Sequence, residues 1–326
     1  MKVREQKTRT CIRRLFLSLS CAYLALLVFA AAAAPLIAPY SPVRQFLESP
    51  LLPPLSEGHI LGTDDLGRDI LSRLVYGSRL LLLCGASVIP ALGAGVILGV
   101  TAGLGACRTS DECEPKTALR FSGRPENALP GTRRLEPRGP LRQWPRFKCN
   151  RLLGKRLTDG LLRLVLDGIL SFPAVLLVIV IVSLSGYGLP RLIIATAIVF
   201  TPVFARIVRA ETQVLMTEGF VEYSRALGTG RTKILFRHIL PNMIPGLAVR
   251  AVSFFPAAIV IDTSLSFLGL GVQPPEPGWG LILKDAWNYF FEAPHIACFS
   301  GAALAAALFS LNFISDALAE KLSRHI

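Results

Sequence analysis

Residues 168–185 read GILSFPAVLLVIVIVSLS, without one charged side chain. A bilayer core of ~30 Å takes about 20 apolar residues at ~1.5 Å each, and a run near that length is a span candidate. Lipid offers no partner for backbone N–H and C=O groups, so the segment must satisfy them internally as a helix. Working outward, Leu192–Ala205 is a second clear run, bounded by Arg191 and Arg206. Ala251–Gly271 is interrupted only by Asp262, and Ala293–Ser315 has no charge. Towards the N-terminus, Leu15–Ala38 and Leu80–Gly105 are also uncharged. The expected fold is an all-α membrane protein with six transmembrane helices.

Composition agrees. Of 326 residues, 52% are hydrophobic and 17% charged, where a soluble domain carries about 25% charged residues. The basic N-terminal region followed by Leu15–Ala38 also fits a secretory signal peptide, but its apolar run exceeds the usual length. It is therefore read as an uncleaved first span.

Lys and Arg near span ends set orientation. The basic tail 1–14 is expected in the cytoplasm, with span 15–38, an external segment 39–79 and span 80–105 following. Segments 106–160 and 206–250 and the C-terminus then fall inside, and 186–191 and 272–292 outside. The net charge of +13 reads as topology. No basic–aromatic pattern points to nucleic acid as a partner. Membrane lipid is the expected surrounding.

Segment 106–156 stands apart. It holds thirteen Lys or Arg and five Asp or Glu, many prolines, and no helical or strand period. Such a composition cannot bury a core and is expected to be disordered. The remainder, 157–326, reads as one core containing spans three to six.

Motifs for covalent chemistry are missing. Gly154-Lys155 is followed by Arg156, which breaks the phosphate-loop pattern. The four histidines lie far apart, and Cys107 and Cys113 have no zinc-ligand spacing. The chain is expected to bind no metal or cofactor and to catalyse nothing alone. Transport against a gradient would draw energy from an ion or another subunit.

Charged residues near the spans give three candidates. Asp159, Arg163 and Asp167 share a helical face at i, i+4 and i+8, just before a kink expected at Pro173. Pro202 and Pro256 are expected to interrupt spans four and five. In His59–Leu80, charge spacing favours a solvated connector with local ion pairs of little worth. An amphipathic interfacial helix is the other reading. Asp262 is an intramembrane carboxylate and a pathway candidate by default. Counted from Ile244 at ~1.5 Å per residue it falls ~27 Å along its helix, near the outer interface, where pairing or solvation would satisfy it.

The last candidate is polar. Residues 221–242, VEYSRALGTGRTKILFRHILPN, separate two apolar runs. The first half has helical spacing, with Phe220, Val221 and Leu227 on one side and Glu222 and Arg225 exposed. Gly228–Gly230 break it, and a second short helix is expected to end at Pro241.

This stretch resembles the cytoplasmic-loop signature of permease subunits of ATP-binding-cassette importers: Glu-Ala-Ala, three residues, Gly, nine residues, Ile, any residue, Leu-Pro. Glu222, Gly228, Leu240 and Pro241 match in register. Tyr223 and Ser224 replace the alanines, and His238 replaces the isoleucine. HILPN is similar to the dipeptide/oligopeptide/nickel branch, as are LGTDDLGRDILSRLVYGSR at 61–79 with Gly67, Arg68 and Asp69, and LSFLGLGVQPPEPGWG at 265–280. The pattern of Asp159, Arg163, Asp167 and Pro173 resembles it too.

The resemblance implies an import permease in a bacterial or archaeal cytoplasmic membrane, with N- and C-termini cytoplasmic and coupling helices between spans four and five, at 218–242. It implies a second permease subunit, two ATPase subunits carrying ATP and Mg, and an extracytoplasmic solute-binding protein as partners. Glu222 and Gly228 would shape the coupling loop, Ala226 and Leu227 would pack into the ATPase, and Leu240 and Pro241 would set the return to span five. Di- or oligopeptides are the expected substrates. Nickel or another small solute, or ion-coupled transport through Asp262, are the alternatives. The family passes from the equivalent of Ala102-Gly103 to that of Asp159 in under ten residues, so 106–156 is an insertion here.

Overall fold

The computed structural model describes residues 2–110, 160 and 164–323. Asp159, Arg163 and residues 111–156 of the insertion lie outside the described residues. Among the described residues every regular element is helical, with two isolated bridges, Ser56–His59 and Thr63–Asp69, and no strand. The elements are α1 Lys2–Ala32, α2 Ala34–Ile37, α3 Ile70–Gly85, α4 Val88–Ser110, α5 Leu164–Leu170, α6 Ala174–Ser185, α7 Leu189–Met216, α8 Gly219–Ala226, α9 Arg231–Ile234, a π-helical turn Leu235–Ile239, α10 Leu240–Phe267, α11 Trp279–Asn288 and α12 Pro294–Ser323.

Five helical segments are long and apolar enough to cross a membrane: Arg13–Ala32, Ile70–Leu104, Leu189–Met216, Arg231–Phe267 and Pro294–Leu322. Helices α5 and α6 form a sixth if they are one span, bent by 101°. The bend has a local cause. Pro173 lacks an N–H and disfavours helical geometry at Phe172. The Ser171 N–H closes α5 on the Asp167 carbonyl, and α6 starts anew when Leu177 N–H bonds the Pro173 carbonyl. By contrast, Pro202 lies inside a continuous α7, and Pro245 and Pro256 inside a continuous α10. The expected interruptions at Pro202 and Pro256 are absent. Tertiary packing holds both helices, for Pro202 and Pro256 are themselves buried.

The second apolar run is two helices, α3 and α4, separated by Ala86-Ser87. Helix α4 lies on α7 through Gly95, Gly99 and Gly103, four residues apart. A Cβ on Gly95 would stand 2.4 Å from the Phe204 Cβ, on Gly99 2.6 Å from the Ala205 carbonyl oxygen, and on Gly103 2.8 Å from the Thr212 Cβ. Small residues at this spacing let two helices touch backbone to backbone in lipid, where van der Waals contact replaces the hydrophobic effect as the driving force. Gly99→Leu will separate the pair and cost about 1–3 kcal/mol or more. The check is the thermal unfolding midpoint of the purified chain in detergent, compared with Gly93→Leu, where a Cβ meets nothing within 4 Å.

Helix α12 closes the bundle against α1 and α10. The Tyr23 hydroxyl donates to the Ala303 carbonyl at 2.8 Å, and Arg13 pairs with Glu320. That ion pair puts the start of α1 and the end of α12 on the same side.

Residues 38–69 have no helix but are folded. The Thr63 hydroxyl donates to the Ser49 carbonyl and accepts from Leu52 N–H. Gly67 has φ +70°, and a Cβ there would stand 2.1 Å from the Phe46 carbonyl oxygen, so only glycine fits. Helix α11 packs on this segment's exit, with the Trp279 indole N–H donating to the Leu74 carbonyl at 2.9 Å.

Candidate functional site

The charges of His59–Leu80 are not solvated. Asp64, Arg68, Asp69 and Arg73 are all buried, with Arg73 only 1% exposed. Asp64 is the hub. One oxygen accepts the backbone N–H groups of Leu66 and Arg68 at 3.0 and 2.8 Å. The other accepts Arg68 Nε at 2.7 Å and also meets Arg73 Nη1. Asp285, arriving from α11, lies 3.3 Å from Arg68 Nη2 and 3.6 Å from Arg73 Nη1. Asp69 caps α3 by accepting Ser72 N–H at 2.8 Å, and its second oxygen meets His59 Nδ1 at 2.9 Å. The connector is thus a buried polar core, correcting the solvated reading. Local spacing gave the pairs within the segment. It gave no sign of burial, which comes from the folded segment around Tyr40 and Phe46 and from α11, over 200 positions away.

Asp285 has a weaker hold. Burial pushes its carboxyl above the ordinary range, outweighing the attraction of Arg73. Folding therefore disfavours its ionised form, a penalty absent below the ordinary carboxylate pKa and growing as pH rises through the folded value. Asp285→Asn will cost little stability at neutral pH or raise it, and any gain will vanish on acidification. Unfolding midpoints of the two forms across pH check this.

Asp262 is buried inside the bundle. It is 8% exposed, on the face of α10 that packs against α3, and the Cys84 thiol lies within hydrogen-bonding reach. Its Oδ1 is buried without a hydrogen-bond partner among the described residues. Asp262 lies five residues before the end of α10 at Phe267, ~8 Å along the helix, and what the structure adds is its burial against α3.

Asp167 lies on the short α5 and pairs with Arg206 of α7 at 2.6 Å. Pro173 is the N-cap of α6, beyond the bend.

The polar stretch between α7 and α10 is compact. Helix α8 buries Val221 with Met216, Ile234, Leu235, Ile239 and Met243. Outward it presents Glu222, Tyr223, Ala226 and Leu227, with Tyr223 75% and Leu227 85% exposed. The sequence places Leu227 on one side with Phe220 and Val221, and Arg225 exposed. Of that side only Val221 is buried, Phe220 and Leu227 are exposed, and Arg225 is half-buried beside Met216 Sδ. For Leu227 the reason is that α8 ends at Ala226, so it is a C-cap residue outside the helical period. Gly228 follows at φ +76° with open space around it. The turn needs glycine for its backbone, not for room.

Pro241 does not end a helix. Arg231–Phe267 runs on through it. The preceding turn, Leu235–Ile239, is π-helical. A proline in a regular helix clashes with the carbonyl four residues back, here that of Arg237, and the wider π turn gives the ring space. Leu240 and Pro241 are the first two residues of α10.

Residues 151–326 match the family described as binding-protein-dependent transport system inner membrane component. The chain belongs to this family. As a member it is an inner-membrane component of a bacterial transport system and a multi-pass helical protein. It is 35% identical to the di/tripeptide transport system permease protein DppC of Pseudomonas aeruginosa (strain UCBPP-PA14) over 306 residues, covering 92% of this chain and 85% of the relative. It is 34% identical to the dipeptide transport system permease protein DppC of Alkalihalophilus pseudofirmus over 268 residues, 82% of this chain and 72% of the relative. It is 32% identical to the glutathione transport system permease protein GsiD of Pectobacterium atrosepticum over 268 residues, 82% of this chain and 73% of the relative.

Proposed function

We propose that the chain is the permease subunit of an ATP-binding-cassette importer that carries di- or oligopeptides across the cytoplasmic membrane. The observation that carries this reading is its similarity, over most of its length, to permeases named for dipeptides, tripeptides and glutathione. Hydrolysis of ATP with Mg falls to two partner ATPase subunits, a second permease completes the pathway, and a solute-binding protein delivers the peptide outside.

Both termini and the α7–α10 stretch lie in the cytoplasm. Arg225, Arg231, Lys233 and Arg237 on that stretch support this orientation. Residues 218–242 form the coupling element. Its rigid packed side (Val221) and its exposed apolar side (Tyr223, Ala226, Leu227) suit a docking surface that transmits movement of the ATPases to α7 and α10. Residues 39–79 with α11 form the external cap, 157–326 the transport core, and 106–156 an insertion into a cytoplasmic connection. Asp262 is a structural hydrogen-bonding group in this reading. Asp262→Asn will therefore retain uptake, whereas an ion-coupled carrier would lose it.

The test is purification of the tagged chain from its native membranes in mild detergent, with identification of what stays bound. A second permease and two ATP-binding-cassette ATPases are expected. Well-folded chain that never retains an ATPase would overturn the reading.

A further inference from the structure

Helices α1 and α12 set the level of the membrane. Arg13 and Arg14 close the basic tail, and the apolar run of α1 starts at Leu15. Phe16 therefore lies just inside one boundary of the hydrocarbon core. Its ring packs on those of Phe309 and Phe313 of α12, at centroid distances of 6.2 and 6.1 Å. Leu311, midway between them in sequence, marks the same level on α12. A ~30 Å core takes about 20 residues of helix from there to the opposite boundary. Counted back along the chain they end at Phe291, next to the start of α12 at Pro294. The same count from Phe16 along α1 and α2 ends at Leu36, which is exposed too.

At that level the chain exposes a group of aromatic rings. Helix α11 buries Trp279, Ile282 and Ala286 inside the bundle. Its last turn and the bend that follows do the opposite. Trp287 is 72% and Phe291 98% exposed. Phe290 is exposed between them, its ring 5.9 Å from that of Phe291 and edge to face. An apolar surface of this kind marks a contact with a partner or a membrane. The bend is also tied to the mouth of the span, since the Ala293 N–H donates to the Tyr289 carbonyl at 2.8 Å. A bilayer interface suits such rings. An indole there keeps its N–H among the headgroups and its faces against acyl chains.

We infer that Trp287, Phe290 and Phe291 are a lipid anchor, seated in the headgroup–acyl boundary of the leaflet opposite the basic N-terminal tail. Lipid is the occupant because the spans of this chain alone bring the rings to that depth. The anchor holds the end of α11 at a fixed height. Two residues earlier on the same helix, Asp285 reaches Arg68 and Arg73. One short helix thus joins the membrane surface to the buried ion network. The anchor requires only that the chain spans a membrane, whatever it transports.

The test places the purified chain, with the partners it retains, in phosphatidylcholine nanodiscs and reads tryptophan emission. Subtracting the emission of Trp287→Phe separates Trp287 from Trp144 and Trp279. A nitroxide near the glycerol end of the acyl chain is expected to remove most of the Trp287 emission. A nitroxide at the methyl end will remove less, and acrylamide in the buffer little. Phe290→Ser combined with Phe291→Ser will weaken the shallow quenching and strengthen that by acrylamide. Both phenylalanines are exposed, so the unfolding midpoint in detergent is expected to stay at the wild-type value.

Strong acrylamide quenching with no effect of either nitroxide would put Trp287 in water and overturn the anchor. Protection from all three quenchers would mean that a partner protein covers the rings, which also overturns it. Stronger quenching by the deep nitroxide than by the shallow one would place the rings in the hydrocarbon core, with the same consequence. Wild-type quenching in the double serine variant would show that the rings hold nothing, and it too overturns the anchor.

Discussion

Asp64→Ala will leave little folded chain to purify. The substitution removes the carboxylate nearest to both Arg68 and Arg73, and these arginines are 6% and 1% exposed. Removing one partner of a buried ion pair typically costs about 3–5 kcal/mol, because the remaining charge stays out of water. Here two buried arginines lose their nearest partner, and two backbone N–H groups lose their acceptor as well. Asp285 cannot take over, being farther from both arginines and already disfavoured as an anion. The measurement is detergent-soluble yield and unfolding midpoint, beside Asp285→Asn and the triple change Asp64→Leu, Arg68→Met, Arg73→Met. The triple variant removes all the charges that would be stranded and should recover part of the loss. An Asp64→Ala chain as stable as wild type would mean that the buried network contributes nothing.

Gly228→Glu will abolish uptake while leaving membrane insertion intact. The position has φ +76°, where a side chain costs roughly 1–2 kcal/mol of backbone strain. The glutamate adds a charge next to the exposed Leu227 and Tyr223, on the surface proposed to enter an ATPase groove. The two causes separate with Gly228→Asn, which tolerates left-handed geometry and brings no charge. Asn is expected to keep most ATPase retention, and Glu to lose it. The readouts are ATPase subunits retained on the purified chain and peptide uptake in cells. Normal retention and uptake in Gly228→Glu would remove 218–242 from its proposed role.

The apolar runs were legible because lipid imposes one requirement on every span: about 20 residues whose backbone is satisfied internally. All six runs lie on helices, and only the third needs a bent pair to span. Pro173 was legible for the same kind of reason, since a missing N–H acts within one turn. The loop between α7 and α10 was legible as two short pieces around glycines, though Val221 is buried while Phe220 and Leu227, read on one side with it, are exposed. Periodicity extrapolated across the helix end, and nothing local marks where a helix of eight residues will stop.

What the sequence by itself determined is a helical membrane chain of about six spans, a polar projection at 218–242 and the absence of recognisable motifs for covalent chemistry. These follow from composition and local backbone chemistry. Only the tertiary structure decided which charges are buried. Asp64, Arg68 and Arg73 read as solvent-facing until Asp285 arrives from α11, and the burial of Asp262 depends on α3 packing against it. Whether Pro202 and Pro256 break a helix was likewise settled by the bundle that holds α7 and α10. Burial and charge pairing depend on contacts far apart along the chain, and no window of neighbouring residues contains them.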